Sequence, residues 1–328
     1  MTDSRDDRQL RILNSECKRF SKREINEIEK LGLVTHVNAD RRYLLQNIEN
    51  YDVLLIALGN TIDSEILKLA TNLKYIVTPT TGHNHIDCDY AEQKGIEIVS
   101  LRGETKFLEN ITATAELTWG LLLSLIRHIP QAHQDVLSGG WSRDKYYGNE
   151  LRGKVLGILG YGRLGKMVAR YGQAFGMSVL VYDKNVSPDA VNVEFLELDE
   201  ILARADIVTV HLPLNQSTNG ILGSKFFQNI KEGAFFLNTA RGEILDDESL
   251  IAALKEGRVA AAAMDVLPDE VSLHEDWLKN SKLAIYARDN KNLIITPHIG
   301  GVTYESVEQT NAFIIQKLKY CLRDRKFL

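Results

Sequence analysis

The sequence predicts an α/β protein made of two parallel-sheet units, and three observations carry that expectation. Short apolar, β-branched runs alternate with longer amphipathic segments along nearly all of the 328 residues, the pattern of parallel strands covered by helices. The length favours two domains over one. The alternation is interrupted once, where the polar, irregular stretch RGETKFLENITATAE (102–116) precedes a long apolar segment, so a boundary is expected near residue 105.

Before that boundary the strand candidates are RIL (11–13), VTHV (34–37), DVLLIAL (52–58), KYIVTP (74–79) and IEIVS (96–100). Helix-like pieces such as SKREINEIEKLG (21–32) and DSEILKLATN (63–72) separate them. After it, LTWGLLLSLIRHIPQAHQDVLSGG (117–140) reads as one long helix closed by glycines. The second alternation then offers VLGILG (155–160), SVLVYD (178–183), DIVTVHL (206–212), GAFFLNT (233–239), VAAAAMDV (259–266) and NLIITPH (292–298) as strands. The tail YESVEQTNAFIIQKLKYCLRDRKF (304–327) is one amphipathic helix whose pattern assigns it to neither unit.

Composition narrows the function. A formal charge of −5 and a pI near 6.0 leave no global basic footprint, so nucleic acid is not an expected partner. Cys17, Cys88 and Cys321 are far apart with no C-x-x-C pair, which argues against a disulfide scaffold and against a metal site, and favours a reducing cytoplasm. The start, MTDSRDDRQLRIL, is charged, and the longest apolar run, LTWGLLLSLI, is too short to span a bilayer. No signal peptide, membrane anchor or membrane partner is expected.

The most specific local signal is VLGILGYGRLGKMVARYGQAFGMSVLVYD (155–183). A strand leads into Gly160, Gly162 and Gly165, a helix follows, and the next strand ends in Asp183, roughly twenty residues on, as a dinucleotide site requires. The first glycine permits a tight turn, the second lets backbone approach a pyrophosphate, and the third lets helix and strand pack closely. The helix N-terminus offers its N–H groups and positive dipole end to the anion. Asp183 would accept from a ribose diol and repel a 2′-phosphate, which favours NAD over NADP; the adjacent Lys184 weakens that preference without reversing it.

Ligands of open α/β sheets sit at the carboxyl ends of strands. The chemistry-bearing residues there are His211, Arg241, Asp265, Glu270 and His298, with His83 and His85 in the first unit. An arginine at a strand end should meet an anion or lie in solvent, because it cannot shed its proton. Hydride transfer from an alcohol needs a proton acceptor, commonly histidine. Residue chemistry alone leaves the histidines tied.

The blocks GILGYGRLG (157–165), NTARGEILDDESLIAALKEGRVAAAAMDV (238–266), PDE (268–270) and TPHIGG (296–301), in this order, resemble the D-isomer-specific 2-hydroxyacid dehydrogenases. The resemblance covers nearly the whole chain. It implies a Rossmann-type doubly wound domain at 106–298 and a smaller flavodoxin-like substrate domain at 1–105 and 299–328, with the active site in the cleft between them. It implies that Arg241 holds the substrate carboxylate, that His298 is the acid/base, and that Glu270 is its partner, helping it accept the alcohol proton and return it. NAD is the implied cofactor, met by Gly160, Gly162, Arg163, Leu164, Gly165, Asp183, Thr239, Ala240 and Asp265. His211 lines the cofactor side as local structure rather than as the base. Backbone N–H groups of Thr81 and Gly82 are implied to face the substrate, and the segment 111–129 to help build a homodimer. The partners implied are a 2-hydroxy or 2-oxo acid and a second copy of the chain.

Three departures bear on the substrate. Leu58, Gly59 and Asn60 stand where the phosphoglycerate branch tends to place an arginine, and the chain ends without the regulatory domain of many phosphoglycerate enzymes. The loop around 100–116 is longer than usual and supplies Arg102 and Lys106 as candidate contacts to an additional anionic or hydroxylated substrate group. The stretch DEVSLHEDWLKNSKLAIYARDN (269–290) lacks the proline that commonly follows the glutamate and is longer before His298. A different class of function on the same fold is an NAD(H)-sensing binding protein of the corepressor type.

Overall fold

The computed structural model describes residues 9–185, 190–270 and 276–324. Residues 271–275, part of the lengthened stretch after Glu270, lie outside them. The chain divides into two compact units, Met1–Leu108 with Thr303–Leu328, and Glu109–Val302.

In the smaller unit five short strands, β1 (Arg11–Asn14), β2 (Leu33–His36), β3 (Val53–Leu55), β4 (Tyr75–Val77) and β5 (Glu97–Val99), pair in parallel in the order β2-β1-β3-β4-β5. This is the flavodoxin-like doubly wound order. The central strands β3 and β4 are buried at every position, which is why they read as unbroken apolar runs rather than as alternations. Their crossover helices start on side-chain caps: Ser21 forms a capping box with Glu24, and Asp40, Asp63 and Asp87 each accept from a backbone N–H three residues on.

The terminal helix Tyr304–Asp324 belongs to this unit, packing on the helix Lys22–Glu29 and on β5. Asn311 donates to the Arg19 carbonyl at 3.1 Å. Lys317 reaches the Ser100 carbonyl at 2.9 Å and the Glu104 carboxylate at 2.6 Å, and Phe313 stacks on Phe107 with ring centroids 4.0 Å apart. The stretch that reads as irregular therefore holds a one-turn helix, Thr105–Leu108, fastened to the terminal helix.

The larger unit carries seven parallel strands: β6 (Val155–Leu159), β7 (Ser178–Tyr182), β8 (Glu194–Phe195), β9 (Ile207–Val210), β10 (Ala234–Asn238), β11 (Val259–Met264) and β12 (Leu293–Ile295). Their order is β12-β11-β10-β9-β6-β7-β8. The chain runs outward from β6 in one direction, returns, and runs outward in the other, so the connections reverse between β6 and β9. That is the Rossmann topology and its ligand-binding switch point. The interior is mostly apolar; Phe236 is fully buried among Phe226 and Phe227, a burial that contributes about 2–3 kcal/mol.

Two details differ from the sequence reading. β8 is too short for its periodicity to show. The expected single helix over 117–140 starts earlier and is two helices, Ala113–Ile126 and Ile129–Leu137. Pro130 lacks the N–H that would bond the Ile126 carbonyl; His128 turns left-handed (φ 53°) and Asn149 donates to that carbonyl instead, at 3.0 Å. The first of these helices lies against β10 and β11 and buries Ala115, Trp119, Leu122 and Ile126 within the unit. Among the described residues no helix is long and apolar enough to cross a membrane.

Candidate active site

The glycine loop sits at the switch point. Gly160 has φ 98°, and a Cβ there would lie 2.7 Å from the His211 carbonyl oxygen just past β9. A Cβ on Gly165 would lie 2.0 Å from the Gly160 carbonyl oxygen, so the helix Arg163–Ala174 can start this close only with glycine at that position. Gly162 differs: a Cβ there would meet nothing within 4 Å. Packing leaves that position open, in front of a helix that begins without a side-chain cap, as an approaching pyrophosphate requires.

Asp183, directly after β7, accepts from the Tyr161 N–H at 2.6 Å and from the Asn185 N–H at 2.9 Å. It braces the glycine loop, and a carboxylate has further lone pairs for ribose hydroxyls. The residues present therefore fit a dinucleotide. The Arg163 side chain turns inward and donates to the Ile111 carbonyl at 2.6 Å, so this residue can face a ligand through its backbone; Leu164 follows it in the first helical turn. The His211 ring nitrogen Nε2 lies 3.0 Å from the Thr209 hydroxyl, and burial pushes the imidazole pKa down to about 4. It is neutral at physiological pH.

Further along the same sheet edge the chain makes a tight turn after β10. The buried Asn238 side chain accepts from Ala240 N–H at 2.9 Å and donates to the Arg241 carbonyl at 2.8 Å. The Thr239 hydroxyl is 2.9 Å from that of Thr118. Arg241 donates to the Ala240 carbonyl at 2.6 Å. Burial works against the charge of its guanidinium, while Glu270 and Glu243 favour it. The guanidinium stays protonated and presents its remaining donors where an anion would be bound strongly.

Glu270 and His298 meet across 28 residues of chain: Oε1 is 2.6 Å from Nδ1. The second carboxylate oxygen accepts from Leu267 N–H at 3.3 Å. His298 is left-handed, with φ 51°, and its own N–H bonds the carbonyls of Asp265 and Thr296. The loop that presents it hangs on Asp265, whose carboxylate accepts from the Thr296 hydroxyl at 2.5 Å and from the N–H groups of Ile299 and Gly300 at 2.9 and 2.8 Å. Burial raises the Asp265 pKa and these three bonds oppose it. Sequence reasoning missed this bracing role and the part played by Asn238; an acid closing an alanine-rich strand, and an asparagine before a strand-end arginine, were the available signals.

The remaining candidates belong to the smaller unit. Thr81 and Gly82 lie in the turn after β4, which Thr80 closes by donating to the Gly82 carbonyl at 2.9 Å. Arg102 is exposed and, with His83, Cys88 and Glu92, lines a cavity of about 380 Å³. Burial, and secondarily Arg102, lowers the pKa of His83. Lys106 is exposed on the one-turn helix.

The chain is similar to known proteins in sequence and in fold. Residues 119–300 match the model of the D-isomer specific 2-hydroxyacid dehydrogenase NAD binding domain. D-3-phosphoglycerate dehydrogenase of Archaeoglobus fulgidus is 35% identical over 292 residues, which are 88% of this chain and 53% of that protein. The chain thus spans about half the length of that relative. Hydroxypyruvate reductase of Thermotoga maritima is 32% identical, over 87% of this chain and 89% of its own length. The structure of D-lactate dehydrogenase from Aquifex aeolicus, complexed with NAD and lactic acid, superposes with a TM-score of 0.84 at 25% identity, covering 96% of both chains. With its larger unit built around a cofactor-ready glycine loop and matched across that region, the chain belongs to the D-isomer specific 2-hydroxyacid dehydrogenases and carries their NAD(P)-binding domain.

Proposed function

We propose that the chain interconverts a D-2-hydroxy acid and its 2-oxo acid with NAD as the preferred cofactor. The observation that carries this is the Glu270–His298 pair, 2.6 Å apart, on the sheet edge that also holds Arg241. Bound at the glycine loop, the cofactor supplies the hydride exchange. Arg241 grips the substrate carboxylate with its planar fork and orients the reacting carbon. Glu270 accepts from the Nδ1–H of His298, which fixes the ring and leaves Nε2 to take the hydroxyl proton in oxidation and return it in reduction. Asp183 underlies the preference for NAD, since a 2′-phosphate beside it would be repelled.

An unphosphorylated acid of the hydroxypyruvate type is the proposed substrate, because Leu58, Gly59 and Asn60 provide no cation for a phosphate. Thr81 and Gly82 are proposed as further substrate contacts through backbone N–H groups, and Arg102 and Lys106 as contacts to an additional hydroxyl or anionic group. Unchanged kcat/KM in Arg102→Ala and Lys106→Ala would remove the latter two. Homodimer formation belongs to the same reading. The segment 111–129 is proposed to help build it, together with the apolar residues at its end and beyond, Ile129, Val136, Leu137, Trp141 and Tyr147, exposed by 51, 47, 67, 90 and 81%; sedimentation of a monomer at micromolar concentration would refute it. The three free cysteines fit a cytoplasmic location.

The decisive experiment measures NADH oxidation against a panel of 2-oxo acids, phosphorylated and not. Turnover names the substrate. NADH binding without turnover of any member would count against an enzyme and for a sensor.

A further inference from the structure

We infer that Gly242 is a positioning residue for the acid/base pair: its bare α-carbon is the seat on which the Leu267–Pro268 peptide rests, and that contact sets where Glu270 stands relative to His298. The kinetic side of this inference rests on the dehydrogenase reading, and the structural side does not.

The contact is between backbones. A Cβ on Gly242 would lie 2.0 Å from the Leu267 carbonyl carbon, 2.2 Å from Pro268 N and 2.4 Å from the Leu267 oxygen. No rotamer relieves such a clash, because every atom met belongs to the main chain. Gly242 also has no room to retreat. It opens the 3₁₀ turn Gly242–Ile244, and the residue behind it is held by Gly220 N–H bonding the Glu243 carbonyl at 2.8 Å. Leu222 N–H bonds the Ile244 carbonyl at 3.0 Å, and Ile244 is fully buried. An added carbon must therefore displace the segment 267–270.

That segment leads straight to the chemistry. Leu267 N–H donates to Glu270 Oε2 at 3.3 Å, and Glu270 Oε1 meets His298 Nδ1 at 2.6 Å. On the other side of Gly242 the neighbouring residue is Arg241. One glycine thus joins the loop that would grip the substrate to the loop that orients the proton-transfer histidine, and a shift of about 1 Å in such a constellation costs on the order of 10²-fold in rate.

The test is Gly242→Ala, alone and combined with Glu270→Gln. The expected result is NADH affinity within about twofold of wild type, a kcat roughly 10²-fold lower, and no further loss in the double variant beyond Glu270→Gln alone, because both changes break the same contact. Independently of turnover, ¹⁵N shifts of the His298 ring should show one tautomer, Nδ1–H, in wild type and a mixture in Gly242→Ala. Multiplicative losses in the double variant, or an unchanged ring spectrum in a variant that binds NADH, overturn the inference. Should Gly242→Ala not fold, Pro268→Ala keeps the main-chain atoms of the contact but frees the ring-fixed φ of the segment that rests on Gly242; the same two signatures, at about tenfold in kcat, are required of it, and their absence is equally decisive. A wild-type chain inert toward all 2-oxo acids would sink the dehydrogenase reading while leaving the tautomer comparison to judge Gly242.

Discussion

His211 and His298 both stand just past a strand of the same sheet, yet their surroundings make them different chemical objects. His211, after β9, has a buried ring bonded to Thr209 of its own strand, and burial holds it neutral with a pKa pushed down to about 4. His298, after β12, is a quarter exposed and paired with a carboxylate from a different loop. The difference teaches that a strand end is only an address. What sets His298 apart is a second chain segment that delivers Glu270 to one ring nitrogen, the arrangement the proposed proton transfer needs.

The comparison can be broken most directly by removing each ring. His298→Ala is expected to lower kcat by about 10³-fold or more with NADH binding intact, whereas His211→Asn should cost less than about tenfold; equal losses measured by steady-state kinetics would erase the distinction. Next in size is Arg241→Lys, which keeps the charge and loses the fork. Losing one charge-assisted bond of about 1.5–3 kcal/mol should raise KM for the 2-oxo acid tenfold or more and reduce kcat as well, and a KM within twofold of wild type would detach Arg241 from the substrate.

Smaller effects lie in stability. A histidine whose folded pKa is depressed binds its proton more weakly folded than unfolded, so folding loses stability as pH falls from about 6.5 toward 4. His211→Asn should remove that acid sensitivity in melts at pH 7 and pH 4.5. Asp247 has the opposite sign. Burial, followed by the neighbouring Asp246 charge, raises its pKa to about 6, so the folded state holds the proton longer and stability falls as pH rises from about 4 to about 6. Asp247→Asn should raise Tm at pH 7 by a few degrees and by less at pH 4; the same gain at both values would show that its charge is not the cause.

Much of this was legible in the sequence, and the parts that were not share a reason. The strands β6, β7 and β9 to β12 announced themselves as apolar runs, and the glycine loop by spacing, because those signals are local. The two-residue β8 carries no period, and the helix break at His128 needed Pro130 to be weighed against an apolar run on both sides. At the candidate site, the family resemblance supplied Arg241, Glu270 and His298 as candidates, but the bonds that hold them could not be read. Asp265 binding the 296–300 loop, Asp183 gripping Tyr161 N–H and Gly242 seated on Leu267–Pro268 each join residues more than twenty apart in sequence, and no local pattern encodes such a contact. The role of Asn238 was hidden for a different reason: an asparagine bonding its own turn looks like any other turn residue.

Two of the four non-glycine residues with positive φ among those described are Asp269 and His298, at 62° and 51°. Each left-handed side chain costs the fold about 1 kcal/mol or more relative to glycine. The chain is thus least comfortable where the proton transfer is proposed to occur. Glycine or asparagine at position 298 would make a sturdier turn on the same sheets. On the proposed reading, the histidine there exchanges backbone ease for the ability to carry a proton.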